Sequence, residues 1–358
     1  MAVHFHQLKI KGIKKETAEC VSVSFDVPAE LVHLFEYKEG QNITLRKSIE
    51  GEELRRSYSI CAAPYEKELR VAVKKMPGGS FSQFANDSLK VGDILEVLPP
   101  TGKFNAKLNA NKTGNYLAIA AGSGITPIIS IIKHTLQSQK DSNFTLIYGN
   151  RDRNSIIFFD ELEGLKNKYM ERFNFINILS RERTDAAIFY GRIDENKLAE
   201  LGKLLPYQGF DEFYLCGPEA LIFTANDYLQ KLGVSKTNIH FELFTTPGQK
   251  QSTIISKQSQ TDTGEKSNIT IRLDGRSFDF DLSFNSSSIL DAALKQGADL
   301  PYACKGGVCA TCRAKLLEGE VDMDVNYALE QEEVEQGFIL TCQSHPRSNK
   351  VVVDFDIK

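Results

Sequence analysis

The chain has 358 residues, 41% of them hydrophobic and 25% charged, with a formal net charge of −4. Those fractions are ordinary for folded proteins, exclude fibrous and disordered classes, and leave room for two or three domains with cores of their own. The charge is uneven, because ten Lys/Arg meet fifteen Asp/Glu from Lys266 onward and leave the preceding part near neutrality. An acidic end suits docking on a basic surface as well as a merely solvated face, and nothing in the balance suggests nucleic acid. The stretch 1–9 lacks the apolar core of a signal peptide and no run is long enough to span a bilayer, so a cytoplasmic protein without a membrane partner is expected.

Residues 1–110 hold short alternating runs at 20–25, 42–45 and 69–73, punctuated by Gly and Pro, which predict an antiparallel β-barrel or sandwich. Within this part stand Leu54-Arg55-Arg56-Ser57-Tyr58-Ser59-Ile60 and Val73-Lys74-Lys75-Met76-Pro77-Gly78-Gly79-Ser80-Phe81-Ser82. Arg56 offers a fork for a phosphate and Tyr58 a ring and hydroxyl for a planar heterocycle; Gly79 with Ser82 offers a helix start for a second phosphate. Each also has a plainer reading, Tyr58 as core and Arg56 as half of a surface pair.

Residues 111–246 change rhythm. Strand-like runs at 116–121, 144–148, 173–179 and 211–216 alternate with helical patterns at 127–138, 159–169, 194–203 and 218–232, the sign of an α/β doubly wound parallel sheet. The first strand runs into Gly122-Ser-Gly124-Ile-Thr126-Pro127, where glycines let the backbone approach a diphosphate and the following helix turns its free N–H groups and positive dipole end toward it. No Gly-Lys-Ser/Thr follows, so a phosphoryl-transfer loop has no support. Beyond the second strand comes Tyr148-Gly-Asn-Arg151-Asp-Arg153, and beyond the third Ser180-Arg181-Glu-Arg183. Basic residues where a carboxylate would claim a ribose 2′-hydroxyl favour NADPH over NADH, with NADH still possible; surface solubility is the plainer account of the same arginines.

Residues 247–266 are polar and lack apolar periodicity, and are expected to be a linker. From 267 to 358 the pattern is that of a compact α+β module, with strands at 269–273 and 278–282, a helix at 288–296 and a last strand at 351–357. Its chemistry lies in Cys304-x4-Cys309-x2-Cys312 and Cys342, 30 residues further on. This is the plant-type spacing for a [2Fe–2S] cluster, with Gly306, Gly307 and Ala310 allowing the backbone to wrap closely round the sulfides. A zinc ribbon needs two C-x2-C knuckles and only Cys309/Cys312 forms one, a Rieske centre needs paired histidines where His345 stands alone, and three cysteines within nine residues pair poorly as disulfides.

The motifs together resemble the ferredoxin–NADP reductase family, in which an R-x-Y-S strand of a small β-barrel binds flavin, a G-x-G-x-x-P loop binds the nicotinamide nucleotide and a Cys-Gly-Pro segment lies near the nicotinamide. Here these are Arg56-Ser57-Tyr58-Ser59, Gly122-Ser-Gly124-Ile-Thr126-Pro127 and Cys216-Gly217-Pro218. With a plant-type ferredoxin of β-grasp fold fused behind, the chain is similar over nearly its whole length to the oxygenase reductases that carry a C-terminal ferredoxin. The resemblance implies that Arg56, Gly79 and Ser82 hold the diphosphate of FAD, with Ser57, Val73 and Lys74 also lining the cofactor, while Tyr58 and Ser59 lie against the isoalloxazine. It further implies that Thr126 is near both cofactors, Cys216 near the hydride-bearing carbon, and Glu242 and Phe244 beside the flavin, with plain core as the rival account of Phe244. Tyr58, Cys216 and Glu242 are thereby the candidate catalytic residues, Glu242 in flavin proton balance. Many relatives end the reductase at an aromatic C-terminus, whereas here a further module follows.

The activity implied is transfer of a hydride from NADPH to FAD and of single electrons through the cluster to an external acceptor, the di-iron oxygenase component of a multicomponent enzyme. A general ferredoxin-type reductase with other acceptors stays open, as does an electron carrier or redox sensor with degenerate nucleotide sites. FAD rather than FMN comes from the resemblance, since Gly79 and Ser82 suit either phosphate count.

Overall fold

The computed structural model describes residues 4–106, 113–244 and 265–357. Residues His6–Leu54 and Tyr58–Phe244 gather into one compact unit, and the C-terminal sheet forms the body of another.

The first sheet comprises β1 (His6–Thr17), β2 (Cys20–Asp26), β3 (Asn42–Ile49), β4 (Glu52–Ser59), β5 (Leu69–Lys74) and β6 (Ile94–Val97), with helix α1 (Ser80–Asp87) before β6. Its order is β4-β3-β6-β1-β2-β5. Just past β4 the chain bridges to β5, Ile60 opposite Val71, with Cys61 N–H donating to the Arg70 carbonyl at 2.8 Å, which closes the sheet into the expected antiparallel barrel. Period-two alternation sends Leu8, Ile10, Val21, Val23, Ile43, Leu45, Val71 and Val73 inward. In β1 the register shifts between Ile10 and Gly12, a bulge that breaks this alternation.

The second sheet lies in the same unit. Its elements are β7 (Asn115–Ala121), α2 (Ile125–Ser138), β8 (Asn143–Asn150), α3 (Phe159–Lys168), β9 (Phe173–Leu179), α4 (Glu195–Gly202), β10 (Glu212–Gly217), α5 (Glu219–Lys231) and β11 (Ile239–Leu243). All pairs are parallel in the order β11-β10-β7-β8-β9. Leu117, Ala118, Ile119 and Ala120 of β7 are fully buried, as a strand covered on both faces must be. The chain winds one way from β7 to β9 and returns to β10 on the other side, so the carboxyl ends of β7 and β10 flank the switch point where doubly wound sheets bind ligands. Helix α2 begins two residues before the expected position, because the 3₁₀ turn Gly122–Gly124 runs straight into it.

The α2 helix is also anchored to the barrel. Ser130 donates to the Ala62 carbonyl at 2.6 Å, and Lys133, 2% exposed, reaches Glu66 at 3.0 Å and pairs with Glu161, which Arg70 of β5 bonds at 3.0 Å. Buried charges are tolerated only when paired, and here each carboxylate meets a cation.

In the C-terminal unit, β12 (Lys266–Leu273), β13 (Arg276–Ser283), α6 (Ile289–Lys295), β14 (Arg313–Glu318), β15 (Val321–Met323), α7 (Gln331–Glu335), β16 (Phe338–Leu340), β17 (Ser344–Pro346) and β18 (Lys350–Asp354) follow in order. The main sheet runs β13-β12-β18-β14-β16, with β12 and β18 parallel and the other pairs antiparallel. Ser288 caps α6 by accepting from Asp291 N–H, and the helix lays Ile289, Leu290 and Ala293 on Ile269, Ile271, Val351 and Val353. One helix across a mixed sheet is the α+β, β-grasp arrangement. The last strand stops at Asp354 rather than 357, because Asp356 turns its carboxylate to the N–H groups of Asp274 and Gly275 at the β12–β13 turn.

Of the segment expected as a linker, 247–264 lies outside the described residues, as does the expected border at 110/111; Lys266 is already in β12. Among the described residues no helix is long and apolar enough to cross a membrane.

Candidate redox sites

The glycine turn sits at the switch point. Gly122 has φ +54°, and a Cβ on Gly124 would stand 2.1 Å from the Cys216 carbonyl oxygen and 2.7 Å from Gly217 N, so the ends of β7 and β10 pack with no room for a side chain. The turn thus brings the α2 N-terminus into the crevice as an anion cradle. Thr126, 3% exposed, donates its hydroxyl to the Ser123 carbonyl at 3.0 Å, and Pro127 is buried in the first turn of α2. Pro218 starts α5 on the other side of the crevice.

In the sheet register Cys216 lies opposite Glu242. Ser59, at the end of β4, donates to Glu242 at 2.8 Å, which joins the R-x-Y-S strand to the Cys-Gly-Pro strand through one carboxylate. Glu242 is part-buried. Burial pushes its carboxyl up to about 7, against the hydrogen bonds from Ser59 and Asn42 that favour the ion. Burial, aided by Glu242, holds the Cys216 thiol well above its usual value, so it is a neutral thiol at physiological pH.

Tyr58 is half-buried, its ring 5.8 Å from Phe81 at 33°. Arg56 is half-exposed beside it in sequence and bonds the Arg55 carbonyl at 2.7 Å, and Ser57 is half-buried. Val73 lies in the barrel core, whereas the Lys74 ammonium lies 3.5 Å from where a Cβ on Gly122 would be, beside the nucleotide turn. Gly79 caps α1, and Ser82 accepts from Met76 N–H at 3.0 Å and donates to the Gly79 carbonyl at 2.9 Å, so its hydroxyl shapes the loop. A Cβ on Gly79 would sit 2.6 Å from that hydroxyl. Phe244, 39% exposed just past β11, is not a core residue.

Arg151 and Arg181 end neighbouring strands and are tied by a 2.7 Å bond from Arg181 N–H to the Arg151 carbonyl; Ser180 bonds the Asn150 carbonyl. Both arginines are exposed, with Glu19 3.9 Å from Arg151.

In the C-terminal unit the four cysteines converge. Cys304 and Cys309 stand 3.1 Å apart, and Cys342 neighbours both Cys304 and Cys312. The contacts run from Cys309 through Cys304 and Cys342 to Cys312, which gathers four sulfur donors in one place. The shell also fits a polynuclear, anionic group. Gly306 N–H points at the Cys304 sulfur at 3.3 Å, and the Thr311 hydroxyl is buried with no oxygen or nitrogen partner and leans toward Cys309. Contact with Cys304 and burial push the Cys309 thiol well up. Cationic metal among such crowded thiols would ionise them.

Comparison with known proteins gives the same parts in the same order. Residues 7–106 match the oxidoreductase FAD-binding domain, 118–227 the oxidoreductase NAD-binding domain and 271–347 the 2Fe-2S iron-sulfur cluster binding domain. The chain is 46% identical over 355 residues to one of the subunits of 1,2-phenylacetyl-CoA epoxidase from Escherichia coli K12, covering 99% of this chain and 98% of that one. It belongs to the oxygenase reductases of the ferredoxin–NADP reductase type. The ferredoxin reductase component of 3-ketosteroid-9-alpha-monooxygenase from Rhodococcus rhodochrous is 32% identical, with 97% of this chain and 96% of that one covered. Phthalate dioxygenase reductase shares the fold end to end, with TM-score 0.58, 25% identity and 98% of both chains covered. This reductase is accordingly an oxidoreductase for a pyridine nucleotide, FAD and a [2Fe–2S] cluster.

Sequence reasoning missed Asn42, Lys133, Thr311 and Gln343. Asn42 is visible in sequence only as the start of a strand and Lys133 only as a polar position on an apolar helix, while Gln343 adjoins Cys342 and Thr311 lies between Cys309 and Cys312.

Proposed function

We propose that this reductase serves a phenylacetyl-CoA epoxidase, drawing electrons from NADPH and passing them singly to the di-iron oxygenase component in the cytoplasm. The observation that carries the acceptor is the 46% identity along the whole chain to the epoxidase relative, well above the 32% to the ketosteroid reductase component. When bound, nicotinamide and flavin supply hydride transfer and the cluster supplies one-electron transfer.

In this reading the protein's residues bind and orient. Arg56 and the first turn of α1 hold the flavin diphosphate with Ser57, Lys74 and Gly79 around it, Val73 backs them from the barrel core, and Ser82 fixes the loop. Tyr58 covers one flavin face and Phe244, exposed beyond β11, the other. The turn 122–127 seats the nucleotide diphosphate, and Gly217 and Pro218 leave the crevice open above Cys216. Glu242 keeps a proton near pH 7 and exchanges it through Ser59. Cys304, Cys309, Cys312 and Cys342 ligate the two irons. The proposed division is 1–110, 111–246 and 267–358, with 247–266 as tether.

Preference for NADPH rests on the charges of Arg151 and Arg181 and the hydroxyl of Ser180, which suit a 2′-phosphate. Reduction by NADPH and NADH, followed side by side in a stopped-flow instrument, is expected to favour NADPH, and the double variant Arg151→Gln/Arg181→Gln to lose that preference; equal rates in the unaltered protein contradict it. For the acceptor, the reductase is mixed with the epoxidase oxygenase component, NADPH and phenylacetyl-CoA. Coupled consumption of both compounds supports the proposal, and electron delivery to 3-ketosteroid monooxygenase but not to the epoxidase would overturn it.

A further inference from the structure

Gln343 follows the fourth cysteine and is 8% exposed, an unusual place for a primary amide. Its Nε2 donates to the carbonyls of Lys305 and Cys342, each at 3.0 Å, and stands 3.6 Å from the Cys342 sulfur. Three acceptors surround this atom, which fixes the amide orientation, since an oxygen there would face three acceptors. Two N–H bonds serve three partners, so one is shared between the Cys342 carbonyl and its sulfur.

The Lys305 carbonyl belongs to the loop between the first two cysteines, a loop that is costly to hold in shape. Lys305 has φ +50° and Gly307 φ +72°, and a Cβ on Gly307 would lie 2.8 Å from Val325 Cγ2, 2.9 Å from the Val325 carbonyl oxygen and 3.3 Å from Gln343 Cγ. A lysine in the left-handed region persists only where its surroundings hold it. Gln343 does so from within, and Tyr327 N–H does so from outside through the Gly307 carbonyl at 2.9 Å. The backbone of Gln343 is itself fixed, its N–H on Leu340 and its carbonyl on Asp324 N–H, both at 2.9 Å.

We propose that Gln343 is a positioning residue that ties the loop bearing Cys304, Cys309 and Cys312 to Cys342 and, by aiming an N–H at the Cys342 sulfur, sets the cluster's reduction potential. The proposal rests on the reading of these cysteines as [2Fe–2S] ligands. A reduced cluster carries one more negative charge than the oxidised one, so a donor at a ligand sulfur stabilises the reduced form and raises the potential. The thiolate, the loop carbonyl and the buried amide are thus coupled through one side chain.

The test uses the full-length holoprotein with Gln343→Met, which keeps the length and fills the space without an N–H, and Gln343→Glu, which replaces the donor by an acceptor. Iron and sulfide are counted, and the cluster is titrated with dithionite and mediators while its EPR signal is followed. At the potential where the unaltered cluster is half reduced, the methionine variant is expected to show a reduced-to-oxidised ratio about tenfold lower, which is 59 mV for one electron. The glutamate variant shifts further in the same direction. Both variants retain flavin and NADPH-driven flavin reduction, because those lie on other residues. An intact cluster titrating with the unaltered protein in both variants overturns the proposal. Cluster loss to a chelator faster in both variants than in the unaltered protein supports the tie, and equal loss rates count against it. Absence of a two-iron signal from the unaltered protein would overturn the ligand reading itself, a result distinct from either.

Discussion

Glu242 shows how one side chain acquires a role from its neighbours. Its carboxyl, raised to about 7 chiefly by burial, binds a proton in the folded protein at pH values where the unfolded chain has released it. The folded value lies above the unfolded one, so the associated stability is complete below about pH 4.5 and is lost as pH rises through 7. Glu242→Gln, which mimics the protonated form, should therefore gain on the unaltered protein between pH 4.5 and 7, by about 2 kcal/mol at pH 8 after allowance for its partial exposure. Thermal midpoints across that range read this directly. The same variant should remove an apparent pKa near 7 from the rate of flavin reduction, and an unaltered pH profile would end the proton-balance role. The acidic position was legible through the family resemblance; its bond from Ser59 was not, because the two stand 183 residues apart, on β4 of the barrel and β11 of the parallel sheet.

At the scale of elements, the anchoring of α2 to the barrel carries the next expectation. The helix that opens at the nucleotide turn is held by Lys133 against Glu66 and Glu161. Lys133→Met leaves Glu66 without this cation and Glu161 with Arg70, and should cost about 1–3 kcal/mol, measured by chemical denaturation monitored at the flavin. Burial raises the Glu161 carboxyl, but Lys133 and Arg70 outweigh it and hold it below its ordinary value. Here the folded value is depressed, so the stability is present above about pH 4.5 and fades as pH falls through the folded value. Acid unfolding of Lys133→Met should accordingly be less steep below pH 4.5 than that of the unaltered protein. The strands and helices of the parallel sheet were largely legible, since apolar runs alternate cleanly with amphipathic ones. Strand β1 was not, because the bulge near Gly12 breaks its alternation, and β18 looks too long in sequence because Phe355 and Ile357 prolong its alternation on either side of Asp356, which caps a turn instead.

For the molecule as a whole, three cofactor motifs in fixed chain order identified the class, and the sheets, the switch point and the four-thiol nest agree with it. The nest was legible from spacing alone, because cluster geometry dictates ligand separation. Its inner support was not, since Gln343 looks like any polar residue until the loop folds over it. Replacing Cys309 by Ser should spare flavin and NADPH oxidation while abolishing electron delivery to the oxygenase component, as steady-state assays with ferricyanide and with the oxygenase would separate. The most direct test of the central claim is anaerobic mixing of the holoprotein with NADPH, following flavin absorbance and the EPR of frozen samples over time. Flavin bleaching followed by a one-electron [2Fe–2S] signal in stoichiometric amount is the predicted result; bleaching with no cluster signal, or no bleaching at all, would contradict it.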